Sequence, residues 1–208
     1  MPAVKRQRKR MKGEARRDQI VKVASRLFSK NGFRGTTTRA IARGAGISEA
    51  VIYRHFRRKT DLYKAIIDSK CTDESGQSLL MNSIKGKGGK EVFSEIALFL
   101  LNVHQQDPSF IRLLTFSALE NQNLSKFFIK TKGLELIAFM KEKIKGLIRE
   151  RVLRDADPEV AARAFLGMVV HFSVMQELYG LKRYFRKPNR YVARIFVDIF
   201  FDGMRRRV

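Results

Sequence analysis

Apolar side chains recur roughly every three to four residues along almost the whole chain, the spacing of one face of a helix. Between Arg16 and Asn31 the apolar positions Ile20, Val23, Ala24, Leu27 and Phe28 form one such stripe, and Gly32 follows as a stop. The next stretch, GTTTRAIARGAG, opens on three threonines. Thr36, Thr37 or Thr38 can cap a short helix whose inward side is expected to be Ala40, Ile41 and Ala45. Gly44 and Gly46 permit a tight turn behind it. Ser48 is placed to cap a third helix, with Glu49 in its first turn. A fourth begins around Lys59 to Asp61 and is expected to run through Leu62, Ala65 and Ile66 toward Met81, before the loop KGKGGK at 85–90. Beyond that loop the periodicity predicts helices at about 90–106, 108–120, 124–152, 158–180 and 189–206. Asp107-Pro108 and Asp157-Pro158 each set a cap acceptor before a proline at the first helical position, and Pro188-Asn189 marks the last start. There is no sustained period-2 alternation, hence no expected strand, and no internal repeat. The expected fold class is all-α, with about nine helices.

One segment fits a single stripe poorly. In ISEAVIYRHF, 47–56, Val51 and Ile52 are adjacent, and an arginine stands between a tyrosine and a histidine. At about 100° per residue the segment resolves into two faces. Ile52 and Phe56 share one, and Ile47 is placed to pack on Ile52 as a staple. Ala50, Val51 and Arg54 share the other, bordered by Tyr53 and His55. A solvated face would carry lysine and glutamate there. A face entering a major groove needs small residues for approach, an apolar residue for a thymine methyl, and donors for base edges and phosphates. With the short helix and the glycine turn before it, the segment completes a helix-turn-helix.

Charge strengthens that reading. The 208 residues hold 43 Lys+Arg against 20 Asp+Glu, a net charge of +23. Residues 1–70 hold 20 of those basic and 5 of the acidic side chains, so most of the excess lies in the first third. Such a bias favours a polyanion partner. A single cysteine, Cys71, excludes an internal disulfide framework and fits a reducing cytoplasm. The basic start lacks the apolar run of a secretory signal. IALFLL (96–101) and AFLGMVVHFSVM (164–175) are too short to span a bilayer, so no membrane partner is expected and the chain is expected to be soluble.

The run GTTTRAIARGAGISEAVIYRHFRRKTDLYKAII, 35–67, resembles the DNA-binding domain of the TetR family of bacterial transcriptional regulators. The close resemblance extends over roughly residues 16–67, and the remainder fits by length and helical content. It implies a DNA-binding domain at 14–70 and a helical effector-binding and dimerisation domain at 71–208; the basic run before them, 1–13, is an arm longer than the family needs and is expected to be disordered. Carried over residue by residue, Thr37 and Thr38 cap the second helix and lie near phosphate, and Arg39 is a base-reading candidate. Ser48, Ala50, Val51 and Arg54 lie on the groove side, while Tyr53, His55 and Lys59 match positions that hold phosphates. Glu49 departs from the pattern, since an acid repels phosphate. It either accepts from cytosine or complements the helix dipole, and the dipole role is preferred. The arm, with Lys5, Arg6, Arg8, Lys9, Arg10 and Lys12, either adds nonspecific affinity, enters a minor groove or is simply solvated.

Of the 16 phenylalanines, 13 lie beyond residue 75. A Phe/Met stripe at helical spacing is first of all core. The resemblance places an effector site among the middle helices, suited to an apolar or aromatic compound. The candidates are Phe99, Val103, His104, Phe116, Phe139, Met168, His171, Phe172 and Met175. His104 and His171 either orient a ligand's polar end or are satisfied histidines. The resemblance also implies a homodimer through the last two helices, with Phe165, Val192, Ile195, Phe196, Ile199, Phe200 and Gly203 as interface candidates. No metal-ligand spacing, cofactor motif or catalytic signature occurs. The expected function is an effector-released repressor of a pseudo-palindromic operator. The alternatives are a nonselective nucleoid-type DNA binder, or a carrier or enzyme with an incidental basic surface.

Overall fold

The computed structural model describes residues 13–71, 80–120 and 123–205, which form ten α-helices and no strand. Residues 1–12 of the arm expected over 1–13 and the segment 72–79 of the expected long fourth helix lie outside the described residues, while Gly13 already belongs to the first helix.

Two apolar cores organise the chain. The smaller is built on α1 (Gly13–Asn31), α2 (Thr38–Ala45), α3 (Glu49–His55) and α4 (Lys59–Cys71). It buries Ile20, Ala24 and Phe28 of α1, Ile41 of α2, Ile52 and Phe56 at α3, and Leu62 and Ile66 of α4. On α1 the buried set gains Val21, whereas Val23 and Leu27 are half-buried. The inward side of α2 is Ile41, Ala42 and Ala45, an arc of about 100° on the helix wheel; Ala40, expected inward, falls about 100° beyond Ile41 on the other side and is only half-buried. Each fully buried Ile or Phe contributes about 1.5–3 kcal/mol. This core also takes in Leu113 and, at its edge, Phe110 and Leu114, all from α6 (Pro108–Leu119), and Phe127 and Phe128.

The larger core is built by α5 (Gly89–Gln106), α8 (Leu134–Arg149), α9 (Pro158–Glu177) and α10 (Asn189–Met204). α5 and α9 meet at Phe93 and Phe165, edge-to-face at 5.0 Å, and run in the same direction, each opposite to α10: Phe165 meets Phe200 and Phe172 meets Phe196. α10 returns antiparallel: Asn189 at its start donates to Asn102 and Gln105 at the end of α5, and Asp198 pairs with Lys90 at the beginning of α5. Among the described residues no helix is long and apolar enough to cross a membrane.

Two sequence expectations change here. The helix expected over 124–152 runs from 123 to 149 but is not regular: α7 (Asn123–Phe128) passes into a π-turn, Ile129–Gly133, and on into α8 with the backbone helical throughout. The Thr131 hydroxyl donates to the carbonyls of Phe127 and Phe128 at 2.9 and 3.3 Å, and such back-bonding deforms a helix. The caps also divide. Asp157 accepts from the N–H groups of Glu159 and Val160, which hold its carboxyl below the usual range. Asp107 instead accepts from the Ser109 hydroxyl, and Ser48 makes no side-chain cap bond.

Candidate nucleic-acid interface

Thr37, and neither neighbour, caps α2: its side chain accepts from the Ala40 N–H at 3.1 Å. Thr36 is fully buried, with its hydroxyl donating to the carbonyls of Leu27 and Gly32, so it anchors the α1–α2 loop to α1. Gly46 ends α2 at φ 64°, a conformation that penalises any side chain. Its N–H and that of Ile47 close the last turn onto Arg43 and Ala42, and the Gln19 side chain donates to the Ala45 carbonyl from α1. The turn between α2 and α3 is thus held at its α2 end by two backbone bonds and one side-chain bond.

Burial along α3 follows the two faces of its wheel. Ile52 and Phe56 are buried and Ile47 is half-buried in the same core. Ala50 and Arg54 are exposed, Tyr53 is 51% exposed, and Val51 and His55 are half-buried. Thr37, Arg39 and Ser48 are exposed on the adjoining end of α2 and the turn. Arg43, Arg57 and Arg58 add further exposed cations nearby in sequence.

Glu49 has a partner that its position in the first turn did not reveal. Its carboxylate accepts from the Thr38 hydroxyl at 2.7 Å and lies 3.8 Å from Arg39 Nε. The Tyr53 hydroxyl stands 3.3 Å from the same Thr38 hydroxyl. The acid therefore ties the start of α2 to the start of α3, besides facing the positive end of α3. The ion pair with Arg39 is weak, because the Arg39 side chain is 80% exposed.

Lys59 turns inward. Its ammonium donates to the carbonyls of Phe33 at 2.7 Å and Thr36 at 2.9 Å, and lies 4.0 Å over the Phe33 ring. Desolvation lowers its pKa, partly offset by the carboxylate of Glu120. Two of its three protons are committed to the loop that delivers α2, which leaves it poorly placed to act as an open phosphate cation.

The same loop is gripped from the other side. Glu120, at the end of α6, accepts from the Phe33 N–H at 2.8 Å and more weakly from the Arg34 N–H. Gly32 leaves room for it: a Cβ there would lie 2.5 Å from Glu120 Oε1. Tyr63 of α4, beside Phe28 and Phe33, donates to the Leu113 carbonyl of α6, and burial pushes its phenol up to about 12. A fixed node thus joins α6 to the loop, α4 and the start of α2. The sequence pointed to Glu120 only through its isolation as the single acid between 108 and 134.

The other candidates scatter. Phe99, Phe139, Met168 and Phe172 are half-buried against the larger core, and Met175 is half-buried. Val103 and His171 are exposed. Phe116 sits beside Gly32 at the node, away from the rest, because α6 packs on α1. Phe165, Val192 and Phe200, expected at a subunit interface, are buried within the subunit, where the Phe165 and Phe200 rings meet Phe93. Ile199 is 56% exposed, Gly203 is exposed, and Ile195 and Phe196 are half-buried.

Comparison with known proteins agrees with this architecture. Residues 20–66 match the model of bacterial regulatory proteins of the tetR family, and residues 93–203 that of the C-terminal domain of AefR-like transcriptional repressors. The nucleoid occlusion factor SlmA of Glaesserella parasuis serovar 5 is 30% identical over 179 residues, 82% of each chain. Among solved structures, the flavonoid-responsive regulator FrrA is 25% identical, with a TM-score of 0.66 over 94% of this chain and all of that one. AibR, solved with isovaleryl coenzyme A and operator DNA, is 21% identical, with a TM-score of 0.65 over 89% of this chain and 98% of that one. The matched families and relatives are regulators rather than enzymes. This chain belongs to the TetR family of DNA-binding transcriptional regulators.

Proposed function

We propose that the chain is a homodimeric repressor that holds a pseudo-palindromic operator and releases it when a small, largely apolar effector enters the larger helical part. The observation that carries this reading is the α2–α3 surface joined to α6 through Glu120. Residues 14–70 act as the reading head and 71–208 as the effector and dimer unit. Two α3 helices enter successive major grooves about one helical turn apart. Ala50 permits close approach, Val51 meets a thymine methyl, and Arg39 and Arg54 reach base edges or phosphates. Thr37, Thr38, Ser48, Tyr53 and His55 contact the backbone, and Lys59 shapes the loop behind them.

Dimerisation uses the exposed side of the last two helices. On α9, Val160, Ala164, Gly167 and Val170 are exposed, and on α10 Ile199 stands out beside Ile195, Phe196 and Gly203. Such apolar faces call for a partner, and a second copy completes a four-helix interface. Effector binding shifts α6, and Glu120 passes the shift to the loop before α2, changing the spacing of the two heads. The responsiveness of FrrA to flavonoids supports a small-molecule effector. DNA binding and the single cysteine suit the cytoplasm.

A gel shift on the gene's own upstream region tests the reading. A sequence-selective complex that weakens with salt supports it, and no selective shift at low or moderate salt overturns it. Ile199→Arg should give a monomer in sedimentation and lose the selective shift. The likeness to SlmA favours a second reading, a factor acting at many chromosomal sites. The ratio of specific to nonspecific affinity separates the two, as a repressor requires about 10³ or more.

A further inference from the structure

Two helices of the larger part carry buried polar atoms that no described residue satisfies. From the Phe93–Phe165 ring pair, α5 and α9 advance together. Four residues on come Ala97 and Val169, and eight residues on Leu101 and Ser173, all buried. The Ser173 hydroxyl is already committed to the Val169 carbonyl at 3.1 Å. Eleven residues on, about three turns and 16 Å, the same stripes reach His104 and Gln176. His104 Nδ1 and Gln176 Oε1 are both buried and have no hydrogen-bond partner among the described residues. Each helix thus carries, eleven residues beyond the Phe93–Phe165 pair, a buried polar atom without a described partner: an imidazole nitrogen on α5 and an amide oxygen on α9. Folded proteins keep few such groups, because each gives up its water without replacement.

We propose that His104 and Gln176 form the polar end of a ligand site on the α5–α9 seam, which reads the hydroxyl of an otherwise apolar phenol or alcohol. The inference rests on the reading of the larger part as an effector unit and adds the chemistry that the effector must carry. Half-buried Leu100 and Phe172, packed on the same core and within about 40° of His104 and Gln176 on their helix wheels, supply apolar walls. Burial lowers His104 to about 4, so the imidazole is neutral near pH 7 and offers no charge to a carboxylate. The Gln176 oxygen only accepts. A hydroxyl gives its proton to Gln176 while its own oxygen takes one from the imidazole N–H. A carboxylate or a methyl ether has no proton to give, and would leave the amide oxygen unmet.

Isothermal titration of the full chain with para-hexylphenol, para-hexylanisole and para-hexylbenzoate tests this, with operator affinity followed in parallel. The phenol should bind at least about 10-fold more tightly than the other two, the penalty for leaving a built polar site unpaired. Gln176→Leu should melt no lower than the parent and bind phenol and ether alike, and Gln176→Met serves as a second variant of similar shape. Equal affinity for all three compounds overturns the proposal. So does the absence of phenol binding below ~1 mM, or a preference that survives both substitutions. If the phenol binds selectively and operator affinity does not change, the site stands and the effector-release reading falls. If a compound releases DNA equally well from the parent and from Gln176→Leu, release stands and this site falls.

Discussion

Replacing Glu120 with alanine removes the one side chain by which α6 holds the α1–α2 loop through charged hydrogen bonds. The two N–H groups it serves are unequal. That of Phe33 is partly buried at 2.8 Å, whereas that of Arg34 is exposed, at 3.3 and 3.4 Å from the two oxygens. Water can replace the second at little cost. The first is charge-assisted and worth about 1.5–3 kcal/mol, because its donor stays partly shielded once the carboxylate is gone. Glu120→Ala should therefore cost about 2 kcal/mol of unfolding free energy, or roughly 4–8 °C in Tm for a chain of this size. Glu120→Gln keeps one carbonyl acceptor and should cost about half as much. Urea unfolding at fixed protein concentration measures the cost, since dimer stability depends on concentration. Hydrogen exchange locates it: protection should fall at Phe33, Arg34 and the first turn of α2. A loss below about 0.5 kcal/mol with unchanged protection at Phe33 would refute the node as a mechanical link.

Other consequences are equally open to measurement. Glu49→Ala frees Arg39 and removes an acid from the proposed DNA face; fluorescence anisotropy should show tighter binding to random DNA and a smaller ratio of operator to random affinity, and an unchanged ratio would count against its tie to Thr38. Lys59→Met keeps the stem beside Phe33 but abandons two carbonyls; it should cost about 2 kcal/mol in urea unfolding and leave the salt slope of operator binding unaltered, whereas a slope reduced by about 1 would make Lys59 a phosphate contact after all. The folded-state pKa of His104 is depressed from 6.5 to about 4, so as pH falls below 6.5 the unfolded chain takes up a proton that the folded one refuses. Stability should therefore be lost progressively between pH 6.5 and 4, by about 3 kcal/mol in all, and His104→Leu should flatten that part of the pH profile.

What the sequence determined by itself is local. Helical periodicity placed most of the helices, and the wheel of 47–56 separated Ile52 and Phe56 from Ala50 and Arg54, because which residues share a face depends only on the pitch of the helix. The Asp157 cap was legible for the same reason, since its partners are two and three residues away. Tertiary structure decided where a side chain's partner lies far along the chain. Glu120 and Phe33 are 87 residues apart, and Lys59 reaches back 26 and 23 residues to the loop. Glu49 looked out of place until folding set Thr38 and Arg39 beside it. Phe165 and Phe200 belong to stripes that suit an interface as well as an interior, and only the position of α5, which brings Phe93 against both of them, puts them inside. Periodicity states that a face is apolar; what covers that face is set by which helices the chain brings against it.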